Sequence, residues 1–267
     1  KNIVFDEKKK KWFNARNFRE AIDYAIDRDA IIFNVSSGVG APLFTAESLQ
    51  SIFLNKKIAK GHKVDLKRSL NLLEKSGFYL DKNNILRDKN GNIVEFDLLT
   101  NAGNLEREII GVMIKEDLSN LGIKVNFKPI EFNTLVNRIT NTLEWDTVVL
   151  GLTGSPLEPH GGKNVWYSYG ALHMFNKRKS NDNPKDILPF EKELDNIFDK
   201  ASLEIDFNKR KKLYDKYQEI IYYERPFIYL YSPLNIVAVR NRVKNLYPTS
   251  LGGVLHNLDE IYIDNEN

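Results

Sequence analysis

Glu158, His160 and His173 are the side chains of this sequence whose types and spacing point most directly to chemistry. A carboxylate within hydrogen-bond reach of a histidine could supply the acid and base of a hydrolase or transferase acting in the 151–176 loop. The same three side chains could also meet at a metal ion, since imidazole and carboxylate are competent ligands, although their spacing matches no known metal site. Both hypotheses require the loop to bring the three residues together.

The loop that carries these residues lies between Trp145 and Asn176, and it holds five glycines, two prolines and two of the four histidines. Compact domains rarely contain an irregular segment of this length unless it has a function. Its polar and aromatic side chains would suit the wall of a ligand site, and we expect ligand contacts from Glu158, His160, Asn164, Trp166, Tyr169 and His173. The alternative is a surface loop whose aromatic residues pack back onto the domain.

The other chemical motifs considered are incomplete. Gly161-Gly162-Lys163 resembles part of a phosphate-binding loop, but Asn164 replaces the serine or threonine and Leu157 replaces the first glycine. The sequence has no GxSxG or HExxH motif, and it has no cysteine, so thiolate chemistry and disulfides are excluded. None of these motifs is a strong catalytic constellation. We predict no resident metal and no cofactor, and the hydrolase or transferase alternative stays open on the residues alone.

Composition narrows the class of protein. The 267 residues, 42% of them hydrophobic, can form a substantial core in one large or two small domains. With 39 basic and 36 acidic side chains, the net charge of +3 is too balanced to indicate nucleic acid or a membrane surface as a partner. The sequence shows no apolar run of membrane-spanning length and no signal peptide.

The spacing of apolar residues predicts the elements that would position the loop. Strands over 93–99 and 123–128, joined by a helix over 105–121, form a βαβ unit whose strands should be parallel. The nearly unbroken apolar run Thr147–Leu150 predicts a third strand of the same sheet, buried on both faces. Two amphipathic helices follow the loop, and Asp206 is the expected N-cap of the second.

The remaining predictions are local. Asn17 and Glu20 form the pattern of a capping box. Asp65 is the predicted N-cap of a helix that ends at Gly77, and Asn90-Gly91 predicts a hairpin turn. Helices are also expected over 29–35, 47–54 and 133–141. Strands are expected over 3–5, 226–231 and 236–239, with Ser232-Pro233 separating the last two.

Four segments in order resemble the peptide-binding family of bacterial ABC-transporter solute receptors, the oligopeptide, dipeptide and nickel-binding group. The first is NFREAIDYAIDRDAI (17–31) with the small-residue turn Gly38–Pro42, and the second is SLNLLEKSGF (69–78). The third is Glu158-Pro159 followed by Asn164, Trp166 and Asn176, and the fourth runs from Asp206 to Phe227. The resemblance covers nearly the whole chain.

The resemblance implies an α/β fold, a periplasmic-binding-protein-like (type II) lobe with a mixed sheet flanked by helices. It implies that residues 1–16 come from the first lobe or hinge, 17–225 form the second ligand-binding lobe, and 226–267 return toward the first lobe. Ser155 stands where relatives that bind a peptide amino terminus often have an aspartate, and Gly38 and Gly40 join the expected ligand-binding residues.

The partners that the resemblance implies are a small peptide or related solute, the permease subunits of an ABC importer, and the missing N-terminal lobe of the same protein. It implies no nucleic acid. The location would be periplasmic or at the bacterial cell surface, through a lipoprotein anchor. The mechanism would be closure of two lobes around the solute. A purely structural interaction domain is the remaining alternative, favoured if the loop packs down and leaves no cleft.

Overall fold

A computed structural model describes residues 6–152, 154–155, 157–176, 187–249 and 253–264. Within these ranges the α-helices are α1 Glu7–Asn14, α2 Arg16–Ala25, α3 Arg28–Ser36, α4 Lys56–Ala59, α5 Leu66–Lys75, α6 Leu105–Ser119, α7 Phe132–Asn137, α8 Lys163–Trp166, α9 Pro189–Leu203 and α10 Phe207–Glu224. The strands are β1 Gly40–Pro42, β2 Tyr79–Leu80, β3 Leu86–Arg87, β4 Glu95–Asn101, β5 Lys124–Ile130, β6 Thr147–Val148, β7 Tyr231–Pro233, β8 Val243–Lys244 and β9 Tyr262–Ile263. A π-helical turn, Arg138–Thr142, and a 3-10 turn, Pro159–Gly162, complete the regular elements. No helix in these ranges is both long and apolar enough to cross a bilayer.

The central sheet has the order β5-β4-β6, and both pairings are parallel. Helix α6 connects β4 to β5, and Gly111 lets α6 approach the sheet closely, since an added Cβ there would lie 2.1 Å from the ring of Phe127. The predicted βαβ unit and the shared sheet are therefore confirmed. The antiparallel pairs β1–β7, β2–β3 and β8–β9 form separate two-stranded sheets among the described residues.

Apolar side chains form two main cores. The first lies between the sheet and helices α2, α5 and α6, and it includes Phe18, Leu73, Phe96 and Leu118. The second lies between α9 and α10, where Leu194, Phe198, Tyr214 and Tyr217 pack with Trp166 and Phe53. A small cluster of Leu99, Leu135, Ile139 and Met174 covers the other face of the sheet.

A buried carboxylate joins α2 to the end of α10. Asp23 forms an ion pair with Arg28, accepts a hydrogen bond from Nε of Arg225 over 2.7 Å, and lies 2.9 Å from Nε2 of His62. Burial by itself would raise the pKa of Asp23. The hydrogen bond from His62 and the positive charges of Arg28 and Arg225 outweigh burial and hold that pKa well below its usual range.

Several local predictions are confirmed. Asp65 and Asp206 cap α5 and α10 by accepting backbone N–H groups from Arg68 and Lys209, each over 2.9 Å. The turn at Asn90-Gly91 is present, closed by an antiparallel bridge between Arg87 and Ile93, and Gly91 has the positive φ of 81° that favours glycine.

Other local predictions are wrong for identifiable reasons. The capping box at Asn17 is absent, because the N-cap of α2 lies two residues earlier, at Ala15, and makes no side-chain cap hydrogen bond. Residues 47–54 are not helical, because the side chain of Gln218 bonds their backbone: its Nε2 donates to the Phe53 carbonyl over 2.8 Å. The predicted strand over 3–5 lies outside the described residues.

The strand predictions near the loop and the C-terminus also need correction. β6 is not buried on both faces, since Thr147 and Val148 are half-buried and pair on one side only, at the edge of the described sheet. Ser232 and Pro233 do not separate two strands, because both belong to β7, where Pro233 is tolerated on an edge strand. Residues 236–239 form no strand.

Candidate functional site

The carboxyl edge of the central sheet carries a fixed cation. β4 ends at Asn101, and α6 begins four residues later, capped by Asn104. Nη1 of Arg107, in the first turn of α6, donates a hydrogen bond to Oδ1 of Asn101 over 2.7 Å. Among the described residues, Arg107 forms no ion pair. Its guanidinium is therefore held in place with its charge available.

The loop of interest begins directly beside this guanidinium. Gly151 follows β6, and a Cβ added there would lie 3.0 Å from Nη2 of Arg107, so the backbone at the start of the loop lies close to the guanidinium. The hydroxyl of Thr100 donates to the Val149 carbonyl over 3.1 Å and ties the strand before the loop to β4. In open α/β sheets, ligands bind outside the carboxyl ends of the strands. The edge at Asn101, Arg107 and Gly151 has that position.

Glu158 points toward α10. Its Oε2 lies 3.7 Å from Nη2 of Arg210, and its carboxylate also faces the buried Tyr214. Burial and the nearby Glu158 carboxylate raise the pKa of the Tyr214 hydroxyl. Glu158 thus connects the loop to α10, and its charge is partly compensated by Arg210.

A second carboxyl lies buried nearby. Burial raises the pKa of Glu47 to about 7; hydrogen bonds from Tyr217 and Ser51 oppose this shift, and the charge of Glu158 adds to it. The 43–55 segment, the loop and α10 therefore share a buried polar cluster that the sequence analysis missed. No pattern around Glu47 signals burial, because its hydrogen-bond partner Tyr217 is about 170 residues away in the sequence.

Trp166 is a core residue, with 4% of its surface exposed. Its ring centroid lies 5.6 Å from that of Tyr217, 5.8 Å from Phe175 and 5.3 Å from Phe227. Part of the loop therefore packs back onto the domain, as the alternative interpretation of the sequence expected. A ligand contact from Trp166 stays a prediction that would require the core to open.

His173 closes the end of the loop onto α9. Its Nε2 lies 3.2 Å from Oε1 of the fully buried Glu191, which also accepts hydrogen bonds from Nδ2 of Asn176 over 3.0 Å and from the backbone of Leu188 over 2.9 Å. The His160 ring centroid lies 6.2 Å from that of Phe198. Within the described part of the chain, no hydrogen bond joins Glu158 to either histidine, and no three acidic or histidine side chains are grouped so as to hold a metal ion.

Exposed side chains occur along much of the described loop, at Leu152 and Leu157 as well as at Asn164 and Tyr169. Tyr169 is 56% exposed and Asn164 is also exposed, so both side chains are open to a ligand. Gly170 makes this turn possible, since a Cβ there would lie 2.1 Å from the Asn164 carbonyl oxygen. Gly38 and Gly40 lie elsewhere: Gly38 has a φ of 84°, and Gly40 pairs with Pro233 in the β1–β7 ribbon. The ligand roles of all these residues stay predictions.

Arg107 and Asn101 are the site residues that the sequence analysis did not select. A signal was present, because Thr100 and Asn101 directly follow the strand predicted over 93–99, and Asn104 directly precedes the helix predicted over 105–121. Polar residues at such a junction meet at one edge of a parallel sheet. The arginine itself resembled any solvated charge on a helix.

A parallel sheet with a polar carboxyl edge, covered by flanking helices, is the architecture expected of a type II periplasmic-binding-protein-like lobe. Residues 1–172 match the bacterial extracellular solute-binding proteins, family 5 Middle. The chain belongs to this family, and the fold class expected from the resemblance is confirmed.

Individual relatives agree with this assignment. A probable ABC transporter-binding protein of Deinococcus radiodurans is 32% identical in an alignment of 254 residues that covers 90% of this chain and 41% of that protein. The oligopeptide-binding protein AppA of Bacillus subtilis is 26% identical over 86% of this chain and 41% of its own length. The chain thus spans about two fifths of these relatives.

Solved structures show the same fold. AppA of Bacillus subtilis in complex with a nonapeptide superposes with a TM-score of 0.73 at 23% identity, covering 95% of this chain and 48% of that one. The ABC transporter substrate-binding protein CtaP of Listeria monocytogenes gives a TM-score of 0.75 at 18% identity, and the match covers 97% of this chain and 49% of CtaP. The similar proteins are named as binding proteins rather than enzymes.

Proposed function

We propose that this chain is the C-terminal portion of the receptor of an ABC importer, which captures a peptide-like solute between two lobes and delivers it to a membrane permease. The observation that supports this proposal is the position of Arg107. Asn101 holds its guanidinium at the carboxyl edge of the sheet, beside the start of the loop. Among the described residues, the guanidinium has no ion-pair partner. An arginine fork of this kind suits the carboxylate of a peptide or amino acid.

The solute would lie across this edge, with Arg107 binding its carboxylate. The exposed Tyr169 and Asn164 would offer an aromatic surface and an amide. His160, His173, Glu158 and Trp166 would act as the support that holds the loop, given their contacts with α9 and α10. Closure of the second lobe would then shift the population toward a closed state that the permease recognises.

The wider assignment follows from this role. The receptor would act in the periplasm or at the cell surface, held there by a lipid anchor outside this chain. Residues 1–16 and 226–267 would lead from and to the other lobe. The hydrolase alternative has no support from the geometry, because Glu158 pairs with Arg210 and His173 with Glu191.

The test is native purification of the complete receptor followed by mass spectrometry of the small molecules released on denaturation. We expect an intact peptide-like solute with a free carboxylate. Release of cleavage products after incubation with peptides would instead favour the hydrolase. Recovery of no bound solute from any growth medium, together with no binding of a peptide mixture, would contradict the proposal.

A further inference from the structure

The connection between α9 and α10 carries exposed apolar side chains, and we call it the α9–α10 tip: Leu203, Ile205 and Phe207, with Ile52, whose sequence neighbour Phe53 contacts Phe207. Leu203 is 82% and Ile205 94% exposed, and the other two are also exposed. The ends of helical hairpins are usually polar, because they are surrounded by water. A cluster of large exposed apolar side chains marks a surface that contacts something else.

The tip is a fixed structure. Asp206 caps α10, its own backbone N–H donates to Oε1 of Glu204 over 2.9 Å, and the Phe207 ring lies 5.3 Å from that of the buried Phe53. Both acidic side chains of the connection are therefore engaged in local hydrogen bonds. The apolar side chains are held outward by an ordered turn.

Basic side chains lie on the helices next to the tip, α4, α9 and α10. The first turns of α10 read Asn-Lys-Arg-Lys-Lys (208–212), although cations at a helix N-terminus oppose the helix dipole. Arg210 and Lys211 pair with Glu158 and Asp215. Within the described residues, Lys209 and Lys212 have no ion pair, and neither do the exposed Lys56, Lys57 and Lys200 on the neighbouring turns of α4 and α9. Local helix stability does not explain this arrangement.

We propose that the α9–α10 tip binds the surface of an anionic lipid bilayer, with its apolar side chains in the interfacial region and the neighbouring lysines on headgroup phosphates. Leu203, Ile205 and the exposed part of Phe207 offer fewer carbons than one myristoyl chain, so the binding is reversible, with a partition constant of at most about 10⁴ M⁻¹. The balanced charge of the whole chain does not oppose this, because the lysines act locally. This inference goes beyond solute capture and does not depend on it.

The test is sedimentation of the 267-residue chain with vesicles of phosphatidylcholine alone or with about 30% phosphatidylglycerol. We expect binding to the anionic vesicles that weakens with salt. The double variant Leu203→Ser/Ile205→Ser should lower the partition constant roughly tenfold or more. Lys209→Gln/Lys212→Gln should reduce binding to anionic vesicles roughly tenfold.

Phe33→Ser is the matched control, because Phe33 is 72% exposed on α3 and its loss should leave vesicle binding unchanged. Circular dichroism and the thermal midpoint establish that each variant is folded. Failure of the wild type to bind anionic vesicles, or equal binding by the tip variants, would overturn the proposal. A dimer that Leu203→Ser/Ile205→Ser abolishes, without vesicle binding, would assign the tip to a second copy and also overturn it. Solute retention by the complete receptor would be unaffected by any of these results.

Discussion

Nη1 of Arg107 lies 2.7 Å from the side-chain oxygen of Asn101, so the first turn of α6 is bonded to the last residue of β4. The backbone N–H of Arg107 also donates to Oδ1 of Asn104 over 3.0 Å. A long side chain that is ordered before its ligand arrives loses less conformational entropy on binding. This pair therefore holds the Arg107 guanidinium in advance for the solute carboxylate that we propose it binds.

The packing of α9 against α10 predicts a large difference between two leucines of one helix. Leu194→Ala should lower the free energy of unfolding by about 2–5 kcal/mol, because Leu194 is fully buried in the second core. Leu203→Ala, on an exposed side chain of the same helix, should change it by less than about 0.5 kcal/mol. Urea denaturation measures both, and equal midpoints would show that the α9 core face is wrongly assigned.

Glu47 predicts a loss of stability as the pH rises. Its folded pKa of about 7 lies above the ordinary value of 4.5, so the fold favours the protonated carboxyl. The stability that the protonated Glu47 adds is fully present below the unfolded pKa and is lost as the pH rises from about 4.5 to about 7. The free energy of unfolding should fall by about 3 kcal/mol in total over this range. Urea denaturation at pH 5 and pH 8 measures this difference.

Glu47→Gln should flatten that pH dependence, because the amide does not ionise. Glu219→Gln removes an exposed carboxyl from α10 and should retain the wild-type profile. Identical pH profiles for wild type and Glu47→Gln would contradict the assignment of a buried, protonated Glu47.

Asp23 predicts the opposite pH effect in acid. The folded pKa of Asp23 is lowered, so the ionised carboxylate stabilises the fold above the unfolded pKa of about 3.8. This contribution to the free energy of unfolding is lost as the pH falls toward the folded pKa. Asp23→Asn should cost about 3–5 kcal/mol at pH 7, since Arg28 and Arg225 would remain buried without their carboxylate.

The control for this variant is Asp29→Asn, which removes a carboxylate from an exposed ion pair with Lys63. Exposed pairs contribute little, so the change should stay below about 1 kcal/mol. Thermal or urea unfolding compares the two. A similar, small effect of both substitutions would show that the Asp23 network does not hold α2 and α10 together.

The chain alone should bind the solute of the complete receptor poorly. A small-molecule site usually buries roughly 70–90% of its ligand, and one lobe offers one wall. If the rest of the receptor supplied about 4 kcal/mol of the binding free energy, the dissociation constant of the chain alone would be about a thousandfold larger. Calorimetry with the solute recovered from the receptor compares the two proteins. Comparable affinities would place the whole site within this chain.

Local signals account for what the sequence predicts correctly. The caps at Asp65 and Asp206 involve backbone groups three residues away, and the βαβ unit follows from apolar periodicity, so both can be read from neighbouring residues. The helix predicted over 47–54 is wrong because the side chain of Gln218, far along the chain, forms hydrogen bonds with the backbone of this segment. Such a partner leaves no local trace.

The site shows the same division. Composition identifies the 151–176 loop, but the roles inside it depend on distant partners: Trp166 packs on Tyr217 and Phe227, and His173 contacts Glu191. Arg107 becomes significant only when Asn101 and Gly151 are known to lie beside it. Residue types therefore indicate where a site lies more readily than which residues form it.

The most direct test of the account is calorimetric titration of the complete receptor with its recovered solute, comparing wild type, Arg107→Ala and Lys115→Ala. Arg107→Ala should weaken binding roughly 10- to 100-fold, because a charge-assisted contact to the solute carboxylate is lost. Lys115→Ala removes an exposed cation from the same helix and should leave the affinity unchanged. Equal affinities for all three proteins would contradict the assignment of the carboxyl edge of the sheet as the solute-binding surface.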